Sequence, residues 1–170
     1  MNRQLMKRGL AALCLLGMVY GLWRLTIVLQ AYNGLSLTNR VDLRYRQQTD
    51  VTCGPAGLRY ILQHKFNQDV SEEELSQFAK TTSTGTTLHG LKTAANQLGY
   101  NATAWRWQER HLASLELPAL VNLHRWRHFG VLTEVEHDHV IVFDPAQGKY
   151  LRFTRQAFRY FWDGTVLVVS

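Results

Sequence analysis

Arg46-Gln47-Gln48-Thr49-Asp50-Val51-Thr52-Cys53-Gly54-Pro55-Ala56 is the stretch from which the fold reads outward. Pro55 suits the first turn of a helix, where its missing N–H costs nothing. Leu58, Ile61 and Leu62 then follow on one helical face. Cys53 therefore stands at a helix mouth, where the helix dipole and unpaired backbone N–H groups favour a thiolate. Gln47 arrives six residues earlier on the incoming loop. The chain has 2 cysteines, and the other, Cys14, lies in an apolar N-terminal stretch and reads as a filler there.

The 170 residues suffice for one domain, and the net charge is +6. The first thirty residues hold Arg3, Lys7, Arg8 and Arg24 and no acid, so most of the basic excess belongs to that segment. Such a distribution is poor support for a nucleic-acid partner, which needs a basic face on the folded domain. From Gly9 to Trp23 the chain is almost wholly apolar. Leu25 to Leu29 resumes the run beyond Arg24. A membrane helix needs about 20 residues, which Met6 to Leu29 supplies if Arg24 snorkels to an interface. Three basic residues precede the run and predict a cytoplasmic N-terminus, with the rest of the chain across the membrane. The segment 1–32 thus reads as a signal anchor of the bacterial inner membrane, with a domain facing the periplasm or exterior. A cleaved signal peptide is the alternative, giving a periplasmic or secreted protein; cleavage after Ala31 would place Leu29 where a small residue is wanted. In either case Cys53 has no partner cysteine in the exported part, which argues for a reactive thiol over a structural disulfide.

Residues 33–43 read as a linker into a domain at 44–170, with a short strand at 41–45. Ser71-Glu72-Glu73-Glu74 matches a capping box and opens a second helix running to about Lys80. Leu88, Leu91, Ala94, Ala95 and Leu98 mark a third, ended by Gly99. Strands are expected around 102–107, 118–123, 129–135, 140–143, 149–153 and 165–169, with a short helix near 109–114 and another at 154–162. Helices first and antiparallel strands second is an α+β layout.

A cysteine nucleophile needs a base, an orienter for that base and donors for an oxyanion. His128 opens one predicted strand and Asp144 closes the next. In an antiparallel pair these positions lie side by side. The Gln47 amide, or that of neighbouring Gln48, could join the Cys53 N–H as oxyanion donor. A zinc site is the competing constellation: His124, His128, His137 and His139 are close in sequence, and Cys53 could add a sulfur. The four-residue spacing of His124 and His128 falls in strand and loop, however, where it separates side chains by about 13 Å. Trp105, Trp107 and Trp126, interleaved with Arg106, Arg125 and Arg127, suit strand faces with aromatics inward and arginines outward, or a peptide groove.

The Gln47-x5-Cys53-Gly54-Pro55-Ala56 run, His128-Phe129-Gly130-Val131-Leu132 and Asp144-Pro145 together resemble the bacteriocin-processing cysteine peptidases. These are papain-like enzymes that cut after double-glycine leaders. The Thr84-Gly85-Thr86-Thr87-Leu88 and Pro118-Ala119-Leu120-Val121 segments fit the same pattern. The resemblance covers about Arg44 to Val169. It implies a papain-like fold and an endopeptidase acting on an exported peptide or protein without metal or cofactor. Cys53 would be its nucleophile, His128 its general base and acid, Asp144 the orienter and Gln47 the oxyanion donor. No transporter sequence follows, so the chain looks closer to free-standing exported members whose substrate belongs to a neighbouring secretion system. The alternative function is a non-cleaving peptide-binding or chaperone module of the same fold.

Overall fold

The computed structural model describes residues 3–170. Five α-helices and a seven-stranded antiparallel sheet are present among them, in the order α1 (Arg3–Asn33), β1 (Leu35–Val41), α2 (Cys53–Phe66), α3 (Glu72–Phe78), α4 (Leu88–Gln97), β2 (Ala102–Arg106), β3 (Ala119–Leu123), β4 (His128–Val135), β5 (His139–Asp144), β6 (Lys149–Thr154), α5 (Arg155–Phe161) and β7 (Thr165–Val169). Short 3-10 turns occupy Leu43–Tyr45, Glu109–Ser114 and His124–Trp126. The strand order is β1-β6-β5-β4-β3-β7-β2.

The sheet is buried on both faces. Along β5, Ile141 and Phe143 join a core with α2, α3 and α4, while Val140 and Val142 join a second core with α5. This two-sided burial explains why β5 reads as a continuous apolar run without alternation. The helices begin where the sequence caps them. Ser71 Oγ accepts from Glu74 N at 3.2 Å, and Thr87 Oγ1 accepts from Gly90 N at 3.0 Å.

Three stretches depart from the sequence reading, the first being 41–45, expected as a short strand but forming the end of β1 at Val41 and the 3-10 turn Leu43–Tyr45. Residues 35–41, expected as linker, form the edge strand β1 on β6, with Leu35 opposite Phe153 and Leu37 opposite Leu151. The apolar period is weak there because the edge strand β1 has no fully buried residue. Trp105, expected inward, is 53% exposed, because β2 is the opposite edge strand; Trp107 and Trp126 do pack against the α5-side core.

The helical layer meets the sheet through small residues. A Cβ on Gly57 would lie 3.2 Å from Val131 on β4, and one on Gly54 would lie 2.9 Å from Leu91 on α4. The tightest helix contact is at Gly90, where a Cβ would lie 2.2 Å from the Ala79 carbonyl oxygen. Gly90→Ala must therefore push α4 away from the end of α3. Strain of this kind costs about 1–3 kcal/mol, and thermal unfolding should register it as a lower Tm; an unchanged Tm would contradict the packing described.

Candidate active site

Cys53 is the first residue of α2, so its N–H has no carbonyl one turn back to bond. Its thiol shares a hydrogen bond with the His128 ring and receives the backbone N–H groups of Phe129 and Gly54. Burial pushes the thiol pKa up, but the His128 hydrogen bond and charge, with those two N–H groups, outweigh it and hold the pKa below the ordinary value. His128 begins β4. Its Nε2 donates to Asp144 Oδ1 at 2.7 Å, which leaves Nδ1 for the thiol. Burial opposes a charged ring, yet the Asp144 carboxylate and Cys53 push the His128 pKa up to about 9.

Asp144 ends β5 at 4% exposure. The register sets it beside His128: Val131 faces Phe143, so the first residues of β4 run past the last of β5. The carboxylate is fixed by its own turn, with Oδ1 also accepting from Ala146 N at 2.9 Å. The backbone closes beneath it through Gly148 N to Asp144 O at 2.8 Å. Cysteine, imidazole and carboxylate thus form one hydrogen-bonded chain from α2 across β4 to β5.

Gln47 is tied to the same corner, since its N–H donates to Pro145 O at 2.8 Å. Its side chain does not point freely as the sequence suggests: Nε2 donates to Thr49 O at 2.7 Å, and Oε1 is buried without a hydrogen-bond partner. One amide N–H is held by that carbonyl and the other is uncommitted. The backbone N–H of Gln48 donates to Glu72 Oε1 at 2.8 Å. An open cleft of about 460 Å³ lies alongside, lined in part by Leu43, Arg46, Gln47 and Ala146.

Sequence reasoning missed two residues that hold this loop. Glu72, at 2% exposure, reaches from the first turn of α3 to Gln48. Thr52 bridges the turn ahead of Cys53, accepting from Thr49 N at 3.1 Å and donating to Thr49 O at 3.0 Å. Thr52 carried a signal as a polar residue just before a helix. Glu72 carried none, being one of three consecutive glutamates at an apparently exposed helix start. Nor does the structure gather the histidines. His124 and His137 are exposed, and His139 joins Glu136, Asp138 and Arg152 in a separate ion network on the far part of β5.

Comparison with known proteins gives the architecture relatives. The model of the peptidase C39 family matches residues 43–170. An uncharacterised protein of Methanothermobacter marburgensis is 34% identical over 74% of this chain and 86% of its own length. The "Lactococcin-G-processing and transport ATP-binding protein LagD" of Lactococcus lactis is 29% identical over 71% of this chain, and the match spans only 18% of that protein. The "Probable functional amyloid protease FapD" of Pseudomonas aeruginosa is 28% identical over 72% of this chain and 58% of its length. Among solved structures, the peptidase domain of Streptococcus ComA superposes with a TM-score of 0.68 at 25% identity, covering 74% of this chain and 95% of that one.

Two outcomes follow from the geometry. Iodoacetamide should alkylate Cys53 readily at neutral pH. In His128→Ala the thiol returns toward its ordinary range, where only a few per cent is thiolate at pH 7. The rate at pH 7 should then fall by about tenfold or more, and equal rates in the two proteins would dissolve the pair. The sign of the pH dependence is set by the same shifts. The ion pair exists above the lowered Cys53 pKa and is lost as pH rises through about 9, where His128 gives up its proton. Peptidase activity should accordingly fall on an alkaline limb near pH 9, measured as kcat/KM against pH.

Proposed function

The chain belongs to the peptidase C39 family and is a cysteine peptidase, and from that premise we propose that it cleaves an exported polypeptide through Cys53, His128 and Asp144. The observation that carries this reading is the unbroken hydrogen-bonded chain from thiol to carboxylate, with His128 Nε2 at 2.7 Å from Asp144 Oδ1. His128 takes the Cys53 proton, and the thiolate attacks the scissile carbonyl. The Cys53 N–H and the uncommitted amide N–H of Gln47 then stabilise the oxyanion. The tetrahedral intermediate collapses as His128 returns its proton to the leaving amine. Water, activated by the same imidazole, hydrolyses the thioester and frees Cys53. Asp144 keeps the ring oriented and its charge compensated.

The relatives support the choice of substrate class. One solved relative is a double glycine motif protease in complex with its leader peptide, and FapD and LagD are named for a protease and for processing with transport. We extend to this chain cleavage after a Gly-Gly pair. The N-terminal helix, apolar over Leu13–Asn33, would anchor the enzyme in the inner membrane with the domain on the outer side.

The test is cleavage of synthetic peptides by the purified full-length chain. A Gly-Gly peptide should be cut after the second glycine, and replacing either glycine by valine should abolish cutting. Cys53→Ala should leave no activity, and Gln47→Ala should lower kcat by roughly 10²–10³-fold if its amide meets the oxyanion. Tight binding of the Gly-Gly peptide with no cleavage by the unaltered chain would replace this reading with a binding module.

A further inference from the structure

α1 is not tethered to the domain by a flexible linker; its last turn belongs to the fold. Ala31 is 1% exposed within the α5-side core. Tyr32 packs edge-on to Phe161 at 5.3 Å, and Gln156 Nε2 donates to Gln30 Oε1 at 3.0 Å. The chain turns at once into β1, with Gly34 N donating to Gln30 O and Thr154 N to Gly34 O. Gly34 lies against Thr154 and Ala157 at the start of α5, while Tyr32, farther back along α1, meets Phe161 at its end. The C-terminal end of α5, at Phe161, therefore lies against the last turn of α1, as its start does through Gln156 and Gln30.

The length of α1 then fixes how near the domain comes to a bilayer. About 20 residues cross the hydrocarbon core, and the apolar run closes at Leu29. The domain already half-covers Ile27 and Val28. From Val28 to the fully buried Ala31 is a rise of three positions, about 4–5 Å of helix. A headgroup layer is about 5–7 Å deep on each side, so the end of α5 cannot clear it.

The surface at that end has the chemistry of an interfacial belt. Arg159 is exposed and Tyr160 half-buried on α5. The Arg125 guanidinium lies 3.9 Å over the Tyr160 ring and its Nε donates to Tyr160 O. Trp126 packs on Phe161 at 4.6 Å. The nearest acid, Asp163, is turned inward, accepting from Asn122 and from Thr165 N. Glu136 and Asp138 lie beyond the opposite end of α5, where Arg155 N donates to Asp138 O.

We propose that the rim made by Arg125, Trp126, Arg159 and Tyr160 seats the domain on anionic phospholipid headgroups beside α1. Arginine and aromatic side chains are the residues that populate such a boundary, and each basic side chain near an anionic surface adds attraction. The 3-10 turn bearing Arg125 and Trp126 runs directly into His128. Cleavage would take place next to the membrane surface. The proposal rests on the anchor reading of α1.

The test uses the full chain in nanodiscs, with single fluorophores on cysteines introduced at exposed positions in a Cys14→Ser, Cys53→Ala background. Met18→Cys reports insertion through lipids carrying a nitroxide on the acyl chain. His124→Cys reports the rim and Glu73→Cys the distal α3 through headgroup nitroxides. In phosphatidylglycerol discs the 124 probe should lose most of its emission and the 73 probe little. Phosphatidylcholine, or Arg125→Glu with Arg159→Glu, should restore the 124 signal while the 18 probe stays quenched. A 124 probe no more quenched than the 73 probe, or quenching indifferent to lipid charge, overturns the seat while the anchor stands. An unquenched 18 probe shows instead that the anchor reading fails, and the seat with it.

Discussion

A single imidazole joins the two layers of this molecule. His128 lies at the first position of β4, receives Cys53 from the helical layer and binds Asp144 on the neighbouring strand. Thiol and ring must therefore share hydrogen-bonding distance although one belongs to a helix start and the other to a sheet end. That demands a closer helix–sheet approach than ordinary side chains allow. Gly57 on α2 meets Val131 and Leu120 of the sheet, where a Cβ would fall 3.2 Å from Val131. The glycines around the site thus act by absence of volume, and the sheet register supplies the rest. A register slip of one residue would turn His128 to the opposite face, so two-sided burial of β4 and β5 holds the pair as firmly as its own hydrogen bond.

The loop before Cys53 is held with comparable redundancy. Pro145 fixes the backbone of Gln47, Glu72 fixes that of Gln48, and Thr52 closes the turn at Thr49. These three contacts come from three separate parts of the chain: the turn after β5, α3 and the threshold of α2. A buried carboxylate is costly unless it is hydrogen-bonded, and Glu72 here accepts from the backbone N–H of Gln48. Its retention is better understood as positioning than as stability, because an apolar side chain at the same place would fill volume without holding the loop. The price of that rigidity is visible at Gln47, whose amide oxygen is buried without a partner. Donors already in place need no reorganisation as charge develops in a transition state.

Much of this was legible in sequence, for identifiable reasons. Helices α2, α3 and α4 and strands β3 to β7 follow from periodicity, caps and turns, since their apolar residues face the two cores on either side of the sheet. The His128–Asp144 contact follows from the geometry of consecutive antiparallel strands. The edge strand β1 was hidden because it has no fully buried residue, and a short strand with Ser36, Thr38, Asn39 and Arg40 reads as loop. The position of Trp105 was hidden likewise, since alternation says which residues share a face and not whether anything covers that face. Glu72 could not be read at all: its partner is a backbone N–H twenty-four residues away, and main-chain donors leave no mark in a sequence. The orientation of the Gln47 amide depends on the same kind of local carbonyl.

The α5-side core changes what the N-terminal helix is for. A flexible linker would let a tethered domain explore a volume set by linker length. Here Ala31, Tyr32 and Gln30 are integral to the packing, so the last turn of α1 is built into the α5-side core. In a membrane-anchored chain built this way, the height and tilt of the site are set by the helix and not by diffusion of the domain. Substrate recognition then has two parts: a sequence that fits beside Cys53 and an arrival path that passes close to the bilayer. The second requirement filters substrates without any contact to their side chains. Under the proposed anchor, processing would be confined to polypeptides presented near the membrane, and the site at Cys53 would need to read only a short motif.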